Sequence, residues 1–336
     1  MVVPIKFVNA CAASDDIFII ATIPDGLPAG AEFTRLYYLN PSTEDVWHYR
    51  DWSNHQVVSV CLRREQSSVK RAGCALTGDG DVELANSVGQ TYEKIADAGL
   101  ASERALGDVT RIREIGSTLF VCGGSGQVYR RDDTGWTPID DELVATGKNA
   151  LELPQLNAPI SNETLRQFTQ TLRHLPNFND IGGSDETDVY VCGNGGNLFY
   201  YDGTSWRKIE IDTDAILTAI HCVSSDEVWV VGQDGTVLFG NARTGFRNLG
   251  EFFPGGYIWS VRHFGGRVYL GTLHGLYTLD GSNVRLVSSG KLDGRAQIIA
   301  LDSFSDTILW IATDRHAIRY DGSTFTFFEH PDNVNY

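Results

Sequence analysis

The chain has 336 residues, with 27 Lys and Arg against 43 Asp and Glu, so its formal net charge is −16. A hydrophobic content of 42% supports a sizeable core and excludes a wholly disordered chain. The acidic balance excludes nonspecific binding to nucleic acid or to an anionic membrane, because both reward clustered Lys and Arg.

Residues 5–50 read as four short strands: IKFVNACA, DIFIIAT, TRLYYLN and DVWHYR. Residues 56–96 give four more: QVVSVCLR, RAGCALTG, DVELAN and QTYEKIA. β-Branched and aromatic residues favour extended backbone, and 35 glycines supply turns. From residue 109 onward a repeat is visible. Its units are LFVCGGSGQVYRRDDTGW (119–136), VYVCGNGGNLFYYDGTSW (189–206), VWVVGQDGTVLFGNARTGF (228–246), VYLGTLHGLYTLDGSNV (268–284) and LWIATDRHAIRYDGSTF (309–325). Aligning Gly123, Gly193, Gly232, Gly271 and Ala312 gives steps of 70, 39, 39 and 41 residues. The first step is one period plus an insertion.

Each unit follows another short strand: VTRIRE (109–114), LTAIHCV (217–223), IWSVRHF (258–264) or IIALDSF (298–304). Four strands in roughly 40 residues is the period of a propeller blade. The predicted fold class is therefore all-β. It is a seven-bladed β-propeller with four short antiparallel strands per blade and one helix-containing insertion between blades three and four. Blades start near 5, 56, 109, 178, 217, 258 and 298, and one domain spans 1–336. Six blades plus an extra N-terminal element is the alternative, because blade two repeats least clearly. The recurring aromatics Trp136, Trp206, Phe246 and Phe325 start each outer strand, which points to packing between blades.

The units quoted above resemble bacterial propeller proteins of the broad YVTN and BNR-like class, well over 109–330 and loosely over 5–100. The resemblance implies a fold and no activity. The Asp-Gly pairs at 202, 280 and 321 are adjacent, unlike sialidase Asp-boxes, and the signatures of WD-repeat proteins are missing.

Blade topology puts the turns between strands one and two, and between strands three and four, on one face. The other face carries the loops between strands two and three and the connections between blades. Nearly every long excursion falls on that second face: Ile23–Thr34, Asp97–Asp108 and Asp140–Asn177. Long loops in a compact domain are often functional. Within the insertion at 141–177, Leu165, Phe168, Leu172 and Leu175 fall on one helical face, with Ser161 or Asn162 as a cap and Pro176 as a stop. This spacing predicts a helix near 162–174, which either plugs the ring or helps bind a partner.

The same face collects Asp25, Glu32, Asp79, Asp81, Asp97, Asp108, Asp140, Asp141, Glu142, Asp212, Asp214, Asp234 and Glu251. Arg104, Lys148, Arg166, Arg173, Lys291, Arg295 and Arg315 oppose them. Glu251-Phe252-Phe253-Pro254-Gly255-Gly256-Tyr257 adds aromatics in a connection between blades. The expected partner-binding set is Asp140, Asp141, Glu142, Arg166, Arg173, Asp212, Asp214, Glu251, Phe252, Phe253 and Tyr257. Its character fits a basic protein partner. A solvated, solubilising surface is the plainer explanation of the same acids.

Motifs for chemistry are scarce. There is no nucleophile elbow, P-loop or glycine-rich turn leading into a helix. The eight histidines form no HxxH or HExxH spacing, and the six cysteines form no CxxC. The cysteines sit in apolar strand contexts and read as buried small hydrophobes in a reducing cytosol. Asp79 and Asp81 lack the further oxygen ligands of a calcium loop. The N-terminal stretch has one early Lys and is interrupted by Asp15 and Asp16, unlike a secretory signal. No cofactor and no metal are expected, and the expected location is cytoplasmic.

The favoured reading is a non-catalytic interaction propeller, monomeric without its partner, that holds a basic protein on the acidic loop-rich face. A cytoplasmic immunity protein and an assembly scaffold both fit. The alternative is a hydrolase or lyase with His221, Arg262, His263 and Asp302 at the channel mouth. A carbohydrate-binding lectin ranks third, because the loops GGSG, GNGG, GQDG, TLHG and TDRH differ too much to form repeated pockets.

Overall fold

The computed structural model describes residues 3–28, 30–66, 69–144, 161, 166, 176–251, 256–281 and 283–334. Seven four-stranded antiparallel sheets follow one another along the chain. They span residues 5–53, 57–94, 109–138, 178–208, 217–251, 258–287 and 298–329. Each is a meander in sequence order. The first strands are Ile5–Ala12, Val57–Arg63, Val109–Ile115, Phe178–Asp185, Leu217–Cys222, Ile258–Phe264 and Ile298–Asp302. Each touches the first strand of the next blade, and the seventh touches the first, so these strands form the inner wall of a closed ring. The count is seven, not six.

The core follows from this arrangement. One blade has two apolar faces and cannot bury both alone. Among the described residues, seven apolar clusters form, each at one blade–blade interface. The outer-strand aromatics serve these interfaces, leaning on the preceding blade. Trp136 donates to Glu93 at 2.9 Å and Trp206 to the Ile139 carbonyl at 2.6 Å. Phe246 meets Tyr190 edge-on at 6.1 Å, and Phe325 joins the cluster between blades six and seven.

Asp-Gly turns work through both residues. Gly203 and Gly322 adopt φ of +91°. The preceding Asp202 and Asp321 accept the amides of Thr204 and Ser323, each at 2.9 Å. Asn40, Asn86, Asp132 and Asn241 play the same part in blades one, two, three and five. Side chains that cap their own turn in this way favour hairpins.

Strand pairing corrects one alignment. Val109, Phe178 and Leu217 pair with Gly123, Gly193 and Gly232, but Ile258 and Ile298 pair with Thr272 and Thr313. The equivalent positions in blades six and seven therefore lie one residue beyond Gly271 and Ala312. Residues 141–144 form a helical turn after the last strand of blade three. The helix expected over 162–174 lies outside the described residues, apart from Arg166, which is exposed.

Candidate functional site

The site is built from the first strands. Each is broken near its start by a register shift that inserts one extra residue against the second strand. The inserted residues are Val8, Val58, Thr110, Asn179, Thr218, Trp259 and Ile299. A bulge re-aims its side chain. All of them except Val58 line one cavity of about 380 Å3, together with Ile216, Tyr257 and Gln297. First strands begin on the loop-rich face, so this cavity is the channel mouth on that face. Tyr257 stacks on Trp259, with ring centroids 5.1 Å apart and planes 13° apart. Trp259 remains 38% exposed.

In blades one, two and four the residue after the bulge reaches the next blade. Asn9 accepts the Val60 amide at 3.0 Å, Ser59 the Ile112 amide at 3.2 Å and Asp180 the Ile220 amide at 2.9 Å. These side chains tie inner strands together where no backbone ladder joins them. Sequence reasoning missed both the bulges and the ties. Their one visible trace is a polar residue, Asn9, Ser59 or Asp180, placed early in an apolar run.

Two residues further along, Cys11, Cys61, Arg113, Gly182, His221, Arg262 and Asp302 occupy equivalent ladder positions. Most of this level belongs to a deeper part of the channel, of about 180 Å3. Arg262 pairs with Asp302 at 3.1 Å and donates to the Ser303 hydroxyl and carbonyl at 2.9 and 2.7 Å. Asp302 also accepts the Ala12 amide at 2.8 Å across the closure of the ring. Asp180 is fully buried and grips Arg113 in a fork at 3.0 and 3.1 Å. Burial alone would raise its pKa, but Arg113 and Arg111 outweigh burial and hold it below the usual range.

Of the residues singled out for catalysis, Arg262 and Asp302 meet here as a structural ion pair. Burial, Arg262 and Arg113 push His221 well below its ordinary pKa, which keeps it neutral. Neither His221 nor His263 hydrogen-bonds a carboxylate among the described residues, so no acid–base dyad is formed. Burial raises the Cys11 thiol well above its ordinary range, and at Cys61 the neighbouring Cys74 thiol does so first, with burial adding to it. No group of three or more His, Cys, Asp or Glu among the described residues could hold a metal ion.

On the loop-rich face, Asp141, Glu142, Asp212 and Asp214 are exposed, as are Asp79, Asp108 and Asp234. Asp140 is not available to a partner. It is fully buried, pairs with Arg104 at 2.6 Å and accepts the Val128 amide at 2.9 Å. Neighbouring cations are engaged as well: Arg315 with Asp25 at 2.9 Å, Arg295 with Asp293 at 2.8 Å and Lys291 with Glu329 at 2.5 Å. Acids are not confined to this face. Asp132 and Asp185 sit in opposite-face hairpins, and the Thr134 hydroxyl and amide hold Asp132 down at about 2. Glu251 ends the outer strand of blade five. Arg173, Phe252 and Phe253 lie outside the described residues.

No family model matches the chain. It is 28% identical over 221 residues to the immune protein Tsi7 of Pseudomonas aeruginosa. That match covers 66% of this chain and 64% of Tsi7, so it spans just under two thirds of the relative's length. YCF48 from Cyanidioschyzon merolae superposes with a TM-score of 0.62 at 14% identity, over 99% of this chain and 98% of that one. YCF48 bound to D1 peptide gives 0.58 at 12% identity, over 95% and 92%. A virginiamycin B lyase from Staphylococcus aureus gives 0.60 at 11% identity, over 90% of each chain. At such identities these solved structures share only the propeller fold with this chain.

Proposed function

We propose that this propeller is an immunity-type protein that neutralises a basic protein toxin by binding it on the loop-rich face. The observation that carries the reading is the similarity to the immune protein Tsi7 over 66% of the chain. The channel mouth supports it. An exposed Trp259 braced by Tyr257 is the kind of rigid aromatic that anchors an interface. Asp141, Glu142, Asp212 and Asp214 are exposed on the same loop-rich face, and acids there would steer a basic partner. All six cysteines are free, which suits a reducing cytoplasm. Of the channel groups named for a hydrolase or lyase, Arg262 and Asp302 are tied to each other and to Ser303 and Ala12, which weighs against that reading.

The test is co-expression with candidate toxins encoded beside the gene. Growth should be restored by the wild-type chain and lost with the Asp212→Lys/Asp214→Lys double variant, which should still fold. If the wild-type chain restores growth against none of them, and binds none in vitro at moderate salt, the reading fails.

A further inference from the structure

The inner channel holds more positive charge than its carboxylates balance. Arg111, Arg113 and Arg262 enter from the first strands of blades three and six, and Asp180 and Asp302 answer them. Asp302 is matched to Arg262. Asp180 serves two guanidinium groups, Arg113 in a fork and Arg111 through Nε at 3.2 Å. At the far end, Glu114 accepts the Arg64 backbone amide at 2.9 Å, and the Arg64 guanidinium lies over the Phe304 ring. That pair is neutral overall. His221 is held neutral, and the raised thiols of Cys11 and Cys61 carry no charge near neutral pH. One positive charge is therefore left over in the channel of a protein whose net charge is −16.

The surplus falls on Arg111. Its Nε lies 3.2 Å from Asp180 Oδ1 without forming a hydrogen bond, and its guanidinium makes no hydrogen bond among the described residues. Arg111 lines both the deep cavity and the mouth cavity, so it stands at the waist between them. The buried Ser260 hydroxyl also lacks a partner, but it faces Gly271 and Ile298 between blades six and seven, away from the channel. A buried donor without a hydrogen bond, on a guanidinium that shares its one carboxylate with Arg113, is costly, and a bound anion lowers that cost.

We propose that the channel waist binds a small oxyanion, a carboxylate or a phosphate, held by the Arg111 guanidinium. A guanidinium fork suits the paired oxygens of either group. The mouth, at about 380 Å3, admits such a ligand from the loop-rich face. The acidic exterior disfavours long polyanions, so the ligand is small. This inference is independent of the toxin-binding reading.

The experiment is calorimetric titration and thermal melting of the full chain with sodium phosphate or sodium acetate, against sodium chloride at matched ionic strength. At least one oxyanion should bind with a dissociation constant of about 1 mM or tighter and raise the melting midpoint above the chloride control. Comparing the two arms distinguishes phosphate from carboxylate. Arg111→Gln should fold, because Asp180 keeps Arg113 and two backbone amides, and it should weaken binding at least about tenfold. Arg111→Lys should bind several-fold more weakly than wild type, and Arg64→Gln should bind like wild type. Absence of binding in both arms overturns the proposal, as does equal binding by wild type and Arg111→Gln.

Discussion

Asn333 and Ile5, 328 residues apart in sequence, hold each other by two hydrogen bonds. The Ile5 amide donates to Asn333 Oδ1 at 2.9 Å, and Asn333 Nδ2 donates to the Ile5 carbonyl at 3.0 Å. The same Nδ2 also reaches the Arg315 carbonyl at 3.1 Å. Every blade here is built from contiguous chain, so no shared strand locks the ring. The Asn333 side chain does part of that work, beside the stack of Phe18 on Trp310 at 4.9 Å. Asn333→Leu should therefore cost about 2–4 kcal/mol by orphaning buried backbone groups. Urea unfolding checks this, and a loss below about 0.5 kcal/mol would contradict a locking role.

Asp180 is the electrostatic keystone of the inner wall. Asp180→Asn leaves Arg113 and Arg111 without their carboxylate and should cost about 3–5 kcal/mol. Its folded pKa is depressed, so its contribution is present above the unfolded value near 3.9 and is lost as pH falls through the folded one. The variant should consequently show a shallower acid limb than wild type in denaturation profiles below about pH 4.

Histidine protonation acts at higher pH. Burial lowers His221, His316 and His330, with Arg262 and Arg113 adding to it at His221 and Lys291 at His316. Below about pH 6.5 the unfolded chain takes up protons that the folded chain refuses, so stability falls as pH drops from 7 towards 5. His221→Gln should flatten that slope without reversing it. Urea midpoints at several pH values measure it, and an unchanged slope would mean that His221 is protonated without cost.

Trp259 should matter to binding more than to folding. Trp259→Ala should weaken partner binding by about 30-fold or more, the cost of a hot-spot truncation. The exposed ring and its single stack on Tyr257 imply a small change in unfolding midpoint. Asp212→Lys and Asp214→Lys should instead slow association and reduce its salt dependence. Surface plasmon resonance at two ionic strengths separates the two effects.

The loop between strands two and three of blade four contains two neighbouring glycines with different demands. Gly196 has φ +65°, and an added Cβ would collide with the Thr213 carbonyl. Gly196→Ala should cost about 2 kcal/mol or more. Gly195 also has φ +65°, but Ser125 and Asp234 fill the equivalent places at +52° and +55°. Gly195→Asn should therefore be tolerated within about 1 kcal/mol. Melting of the two variants side by side provides the comparison.

The roughly 40-residue period of apolar strands and Asp-Gly turns made the blades legible, because local turn chemistry and strand propensity repeat with the fold. The level shared by His221, Arg262, Asp302 and Arg113 was legible for the same reason: equivalent places in a repeat share a height in the ring. What sequence could not show was which neighbours these groups meet. Asp140 looked like one more surface acid, yet Arg104 and the Val128 amide enclose it. Trp259 looked like one more strand residue until a bulge turned it into the channel mouth.

The sequence by itself determined the blade period, the all-β class and the crowding of long loops on one face, since these depend on periodicity and chain length, while the closed ring decided seven blades over six. Only the tertiary structure decided which charges are matched. Pairing in the channel joins Arg111 and Arg113 to Asp180, 67 or more residues away, and Arg262 to Asp302 across a blade boundary. Such pairings depend on ring closure and on one inserted residue in each inner strand, and no local pattern encodes either.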